Sequence, residues 1–152
     1  MVRGRRPSSW LLLSLSALTL AACGGSTLAP QQADQEAKQF PQPAPGRGAL
    51  YVYRSGWFGA AQAIDVSLVG GASAKLSPNR YMRIEGPPGP VEVGCRVGDK
   101  TGSAQIEIPD GQTRYVEAGM TIGWWSPGCE VEEVPPDKGQ SAVRIGQRVE
   151  PQ

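Results

Sequence analysis

Between residues 49 and 136, apolar side chains recur at every second position in short runs, most of them bounded by glycine, proline or asparagine. A side-chain period of two belongs to a strand with one buried face, so a chain of this kind is confined to layered β-structure. The clearest run is Val91, Val93, Cys95 and Val97, with Glu92, Gly94 and Arg96 between them. Residues 63–68 place Ile64, Val66 and Leu68 on one face and Asp65 and Ser67 on the other. Ala104, Ile106 and Ile108 alternate with Gln105 and Glu107. Residues 50–54, 72–76, 81–85 and 113–117 read as further strands, and 129–134 as an irregular last one. Gly70-Gly71 and Asp110-Gly111 supply the positive φ angles of tight turns, whereas Pro87-Pro88-Gly89-Pro90 must interrupt the ladder. About seven strands at this spacing predict an all-β domain over 49–136, a small antiparallel β-sandwich or partly open barrel.

The residues before this domain carry a different message. Arg3, Arg5 and Arg6 precede an apolar run over 10–20 that is broken only by Ser14, Ser16 and Thr19, the order of a secretory signal. Permanent membrane helices need roughly twenty apolar residues, so this run is too short for one. It ends in Leu20-Ala21-Ala22-Cys23, which resembles the bacterial lipoprotein signal. That resemblance implies removal of residues 1–22 and attachment of palmitate-type acyl chains at Cys23. Gly24 follows the cysteine where lipoproteins retained in the inner membrane of enteric bacteria commonly carry Asp. The implied location is the cell envelope, at the outer membrane facing the periplasm.

Residues 24–48 are Gln, Ala, Pro and small polar residues, with Leu28 and Phe40 the bulky apolar members. They read as a disordered linker, with a span of roughly 25–30 Å as a coil and near 75 Å if extended. Residues 31–39 offer at most a transient helix. The tail over 137–152 reads as a short helix or an extended arm, because Ala142, Val143 and Ile145 are too few to decide.

Composition excludes more than it assigns. Once Arg3, Arg5 and Arg6 are removed with the signal, 12 basic side chains face 14 acidic ones, which leaves no basic footprint for nucleic acid. The chain contains no histidine, so the commonest general base, the usual nucleophile triads and most zinc sites are absent. Glu130, Glu132, Glu133 and Asp137 cluster in sequence and read as a solvated strand edge that discourages edge pairing. They lack the spacing of a calcium loop, and no metal or cofactor is expected. Ser73 and Lys75 are the pair that a serine–lysine hydrolase would need, with no oxyanion hole in view.

Cys95 and Cys129 form an even pair in an oxidising compartment, the arrangement of a disulfide, with two independent buried thiols as the alternative. Trp57-Phe58 and Trp124-Trp125 are adjacent aromatics, and on a regular strand both members of such a pair cannot face inward. They are candidate partner-binding residues on one converging loop face, or else plugs at the ends of a small core.

Leu50-Tyr51-Val52-Tyr53-Arg54, the Gly70-Gly71 turn, Tyr81 heading a run into Pro88-Gly89, and Gly111 ahead of Tyr115 resemble an uncharacterised bacterial family, domain of unknown function 2846. The resemblance spans residues 49–134 and implies a small exported or lipid-anchored β-domain with no established activity. The cysteine pair and Trp124-Trp125 depart from the family's pattern. The expectation is therefore a lipid-tethered, non-enzymatic module that contacts an envelope protein or a glycan. The alternative is a carboxylate- or serine–lysine-based hydrolase or transferase.

Overall fold

The computed structural model describes residues 26–123 and 126–152. Cys23 and the signal segment, like Trp124 and Trp125, lie outside the described residues. A short helix α1 (Gln31–Ala37) comes first, followed by β1 (Gly48–Arg54), β2 (Ile64–Leu68), β3 (Ser73–Leu76) and β4 (Arg80–Gly86). Then come β5 (Gly89–Val97), β6 (Lys100–Ile108), β7 (Thr113–Thr121), β8 (Gly128–Val134), helix α2 (Pro136–Ile145) and a two-residue β9 (Gln147–Arg148). The strands form a β-sandwich of two sheets, ordered β8-β7-β1-β4-β9 and β3-β2-β5-β6.

The all-β sandwich expected from the period of two is present, with two parallel contacts inside it. β1 runs parallel to β7, and β4 parallel to β9. The remaining pairs are antiparallel, including the full-length β5–β6 hairpin in which Gly89 faces Ile108 and Val97 faces Lys100. Between the sheets lies one apolar layer built from Leu50, Val52, Ile64, Val66, Leu76, Met82, Val93, Ile106 and Val116, among others. Cys95 and Cys129 join the sheets within this layer, with sulfurs 2.12 Å apart and Cα atoms 6.1 Å apart.

A third layer covers the other face of the five-stranded sheet. β1 is buried along its whole length, so its odd residues need a second core. Tyr51, Tyr53, Tyr81 and Tyr115, all four tyrosines of the chain, supply it together with Ala37, Val134 and Val143. Tyr51 stacks on Tyr115 at 5.2 Å, and the Arg83 guanidinium sits 5.7 Å from the Tyr51 ring centre. α2 approaches closely enough that a Cβ at Gly139 would collide with Tyr115.

The expectation of a structureless linker over 24–48 is corrected for its described part. Its apolar residues are indeed few, but this segment covers a core rather than building one. The tyrosine hydroxyls hold it through polar contacts. Tyr51 Oη donates to the Ala37 carbonyl at 2.7 Å and Tyr81 Oη to Asp34 Oδ1 at 2.8 Å. Phe40 packs 5.8 Å from the Tyr51 ring and lies under Arg144, whose guanidinium is 5.0 Å from the ring centre. The domain boundary expected at residue 136 also moves, because α2 and the arm after it belong to the fold. Leu28 pairs with Val149, Ala29 N–H donates to the Arg148 carbonyl at 2.9 Å, and Gln152 exchanges two backbone bonds with Ser73 on β3. The two ends of the described chain thus lie along the β4 and β3 edges.

Three carboxylates hold these outer layers, and each has its ionised form favoured by the fold. Burial opposes ionisation of Asp34, but bonds from Lys38, Tyr81 and the Arg148 N–H outweigh it and keep the carboxyl below its usual range. The backbone N–H of Ala44 does the same for Glu85, with help from Arg83. For Glu117, burial is outweighed by Ser55, Lys138 and Tyr53. A folded-state pKa below the unfolded one adds stability that is complete above the unfolded value and lost as pH falls through the folded value. The urea midpoint should therefore hold steady from pH 7 to about pH 5 and decline below about pH 4, where unfolded carboxylates begin to protonate. Asp34→Asn should flatten part of that decline, and an equal acid response in wild type and variant would contradict the role given to Asp34.

Candidate functional site

The strongest concentration of unusual residues lies at one end of the sandwich, where β1 ends, β2 begins and the β7–β8 connection crosses. In β1 the even residues point between the sheets, as Leu50 and Val52 do, and the next in phase is Arg54. Arg54 is 2% exposed. Burying a guanidinium is costly unless its N–H groups find acceptors, and here carbonyl dipoles take the place of a carboxylate. One terminal nitrogen donates to the carbonyls of Gln62 at 2.6 Å and Leu76 at 3.0 Å. The other donates to Phe58 at 3.1 Å and Gly59 at 2.9 Å, and approaches Met120 Sδ at 3.3 Å. Desolvation lowers the Arg54 pKa.

This clamp fixes the loop between β1 and β2 from within, and the side chains it presents point outward. Trp57 is 76% exposed and Phe58 55%. Phe58 lines a cleft of about 420 Å³ with Gly59, Met120, Ile122, Ser126 and Pro127. Gly123, from the connection between β7 and β8, lines the same cleft. Trp124 and Trp125 lie outside the described residues, as does Cys23, the residue expected to carry lipid.

A second cleft of about 340 Å³ shares Phe58 and Met120 with the first and is lined by Ser55, Glu117, Glu130, Glu132 and Lys138. Carboxylates meet here, so acid–base work is the question to ask of it. Glu117 is occupied structurally: it accepts from Ser55 Oγ and from Tyr53 Oη, and pairs with Lys138 at 2.9 Å. A carboxylate pair that shares acid and base roles needs one member pushed up, whereas Glu117 is held down. Glu130 and Glu132 project from β8, the outer strand of its sheet.

A groove of about 690 Å³ crosses the outer face of the four-stranded sheet. Its Lys75 lies 3.6 Å from Asp65, which also pairs with Arg96 at 3.1 Å, so the lysine serves an ion pair rather than Ser73. Among the described residues there is no cluster of three or more metal-ligating side chains and no helix long and apolar enough to cross a membrane.

Sequence reasoning missed Arg54, Glu117 and Ile122. The signal for Arg54 was legible, since the alternation that makes Leu50 and Val52 core residues puts the arginine in the same phase. Glu117 could not be told from any surface glutamate without knowing that β7 lies beside β1.

No family model matches the chain, and no solved structure matches it. It is similar to an uncharacterized protein of Haemophilus influenzae, with 23% identity over 127 residues that span 84% of this chain and 76% of that protein.

Proposed function

We propose that this protein is a lipid-anchored, non-enzymatic module of the bacterial cell envelope that works by presenting its Trp57–Phe58 end to another envelope component. The observation that carries this reading is the Arg54 clamp. A buried cation with its N–H groups spent on loop carbonyls fixes the backbone of the loop that carries the exposed aromatics, and an ordered loop presenting aromatics suits a binding surface. The Leu20-Ala21-Ala22-Cys23 signal supports the anchor.

Metabolic labelling with a radioactive fatty acid tests the anchor: label is expected on wild type and none on Cys23→Ser, and equal label on both would remove the lipid from the reading. Trp57→Ala tests the surface. At 76% exposure its loss should change unfolding free energy by no more than about 0.5 kcal/mol, as surface substitutions do. A cost of about 3–5 kcal/mol would instead mark Trp57 as a core plug and leave the surface without its main residue.

A further inference from the structure

From the place of one sulfur in the Arg54 clamp, we infer that Met120 is a modification site, and that oxidation of its sulfur to the sulfoxide releases the loop between β1 and β2. Two methionines lie among the described residues, and the fold treats them oppositely. Met82 is fully buried between the sheets. Met120, near the end of β7, is half-buried and lines both clefts at the aromatic end. Access from two clefts makes it the thioether that a small oxidant in solution meets, because susceptibility follows exposure.

The same sulfur is part of the loop's support. The Arg54 nitrogen that donates to the Phe58 and Gly59 carbonyls lies 3.3 Å from Met120 Sδ. The thioether also packs against the Gly59 backbone, so closely that a Cβ at Gly59 would stand 2.1 Å from the sulfur and 2.8 Å from Cε. A thioether is a weak acceptor, so the guanidinium keeps its stronger bonds to the two carbonyls. The sulfoxide is polar and adds an oxygen to a side chain that was apolar. That oxygen competes with the carbonyls for the Arg54 N–H groups, and it needs room where the sulfur now meets Gly59. Both changes act on one loop.

The oxygen donor is a peroxide. A sulfur lone pair attacks one peroxide oxygen, the O–O bond breaks as the S–O bond forms, and a proton passes to the departing oxygen to leave water. Sulfur gives up two electrons and the peroxide takes them, and no charge remains on the side chain. The release follows from the clamp alone, whatever the loop meets, and it removes the fixed backbone beneath Trp57 and Phe58.

The test treats the folded full chain, held in detergent, with hydrogen peroxide and follows each methionine by peptide mass. Met120 should be oxidised about tenfold faster than Met82. At a dose that leaves Met82 untouched, chymotrypsin should cut after Trp57 and Phe58 about fivefold faster than before treatment, with no acceleration after the buried Tyr81. The two methionine sulfoxide reductases, one for each epimer, should together restore the slow rate, and Met120→Leu should not respond to peroxide. Equal oxidation of the two methionines, unchanged cutting after Trp57 and Phe58 once Met120 is oxidised, or equal acceleration at Tyr81 would overturn the inference. The same peroxide response in Met120→Leu would overturn it as well.

Discussion

Arg54→Met is expected to lower the unfolding free energy by about 3–5 kcal/mol, because it strips donors from several buried acceptors at once. Methionine keeps much of the stem volume, so a void is not the main effect. The carbonyls of Phe58, Gly59, Gln62 and Leu76 lose their partner together. For a domain of this size that should lower the melting midpoint by about 10–20 °C. Arg54→Lys should recover little, since one ammonium cannot serve two pairs of carbonyls set by a planar fork. Thermal and urea unfolding of both variants beside Trp57→Ala would check this. A loss below about 1 kcal/mol in Arg54→Met would mean that water replaces the guanidinium at little cost and that the loop is not held from within.

Removing the cross-link is the other large effect. Cys95 lies on β5 and Cys129 on β8, in different sheets and 34 residues apart, so the bond constrains an otherwise open loop of the unfolded chain. Chain-entropy arithmetic gives about 3–4 kcal/mol for such a loop. The double variant Cys95→Ala, Cys129→Ala should lose that amount in urea unfolding, and wild type in reductant should match it. A variant as stable as oxidised wild type would show that packing between β6 and β8 already fixes the two sheets. That packing is close: a Cβ at Gly102 would meet the Cys129 carbonyl at 2.5 Å.

The strands were legible because a half-buried strand writes its period into the sequence. Val91 to Val97 and Ile64 to Leu68 fall where the alternation put them, and the Gly70-Gly71 turn joins β2 to β3 as expected. Partner choice was not legible. The parallel contact of β1 with β7 joins segments some sixty residues apart, and nothing local in either announces the other. The tyrosines carried a hint that went unread: a strand alternating Leu50 and Val52 with Tyr51 and Tyr53 has no polar face. Both faces must then be covered, and only the polar-looking segments at either end of the domain were left to do it. Their role depends on hydroxyl-to-carbonyl and carboxylate contacts such as Tyr51 to Ala37, which leave no hydrophobic period. At the candidate site, the loop aromatics were visible as types, while the cation beneath them was hidden by its ordinary look in a strand.

The pairing of the first described residues with the last also bears on how the fold is reached. Ser26 to Ala29 and Arg148 to Gln152 are far apart in sequence, so their contact closes only when the sheets between them have brought the two segments together. Until that contact is made, the outer backbone groups of β4 lack their β9 partner. Contacts of such separation slow folding, and open edges invite pairing with other chains. A chain shortened before Gln147 should therefore leave the β4 edge open and aggregate rather than merely melt earlier.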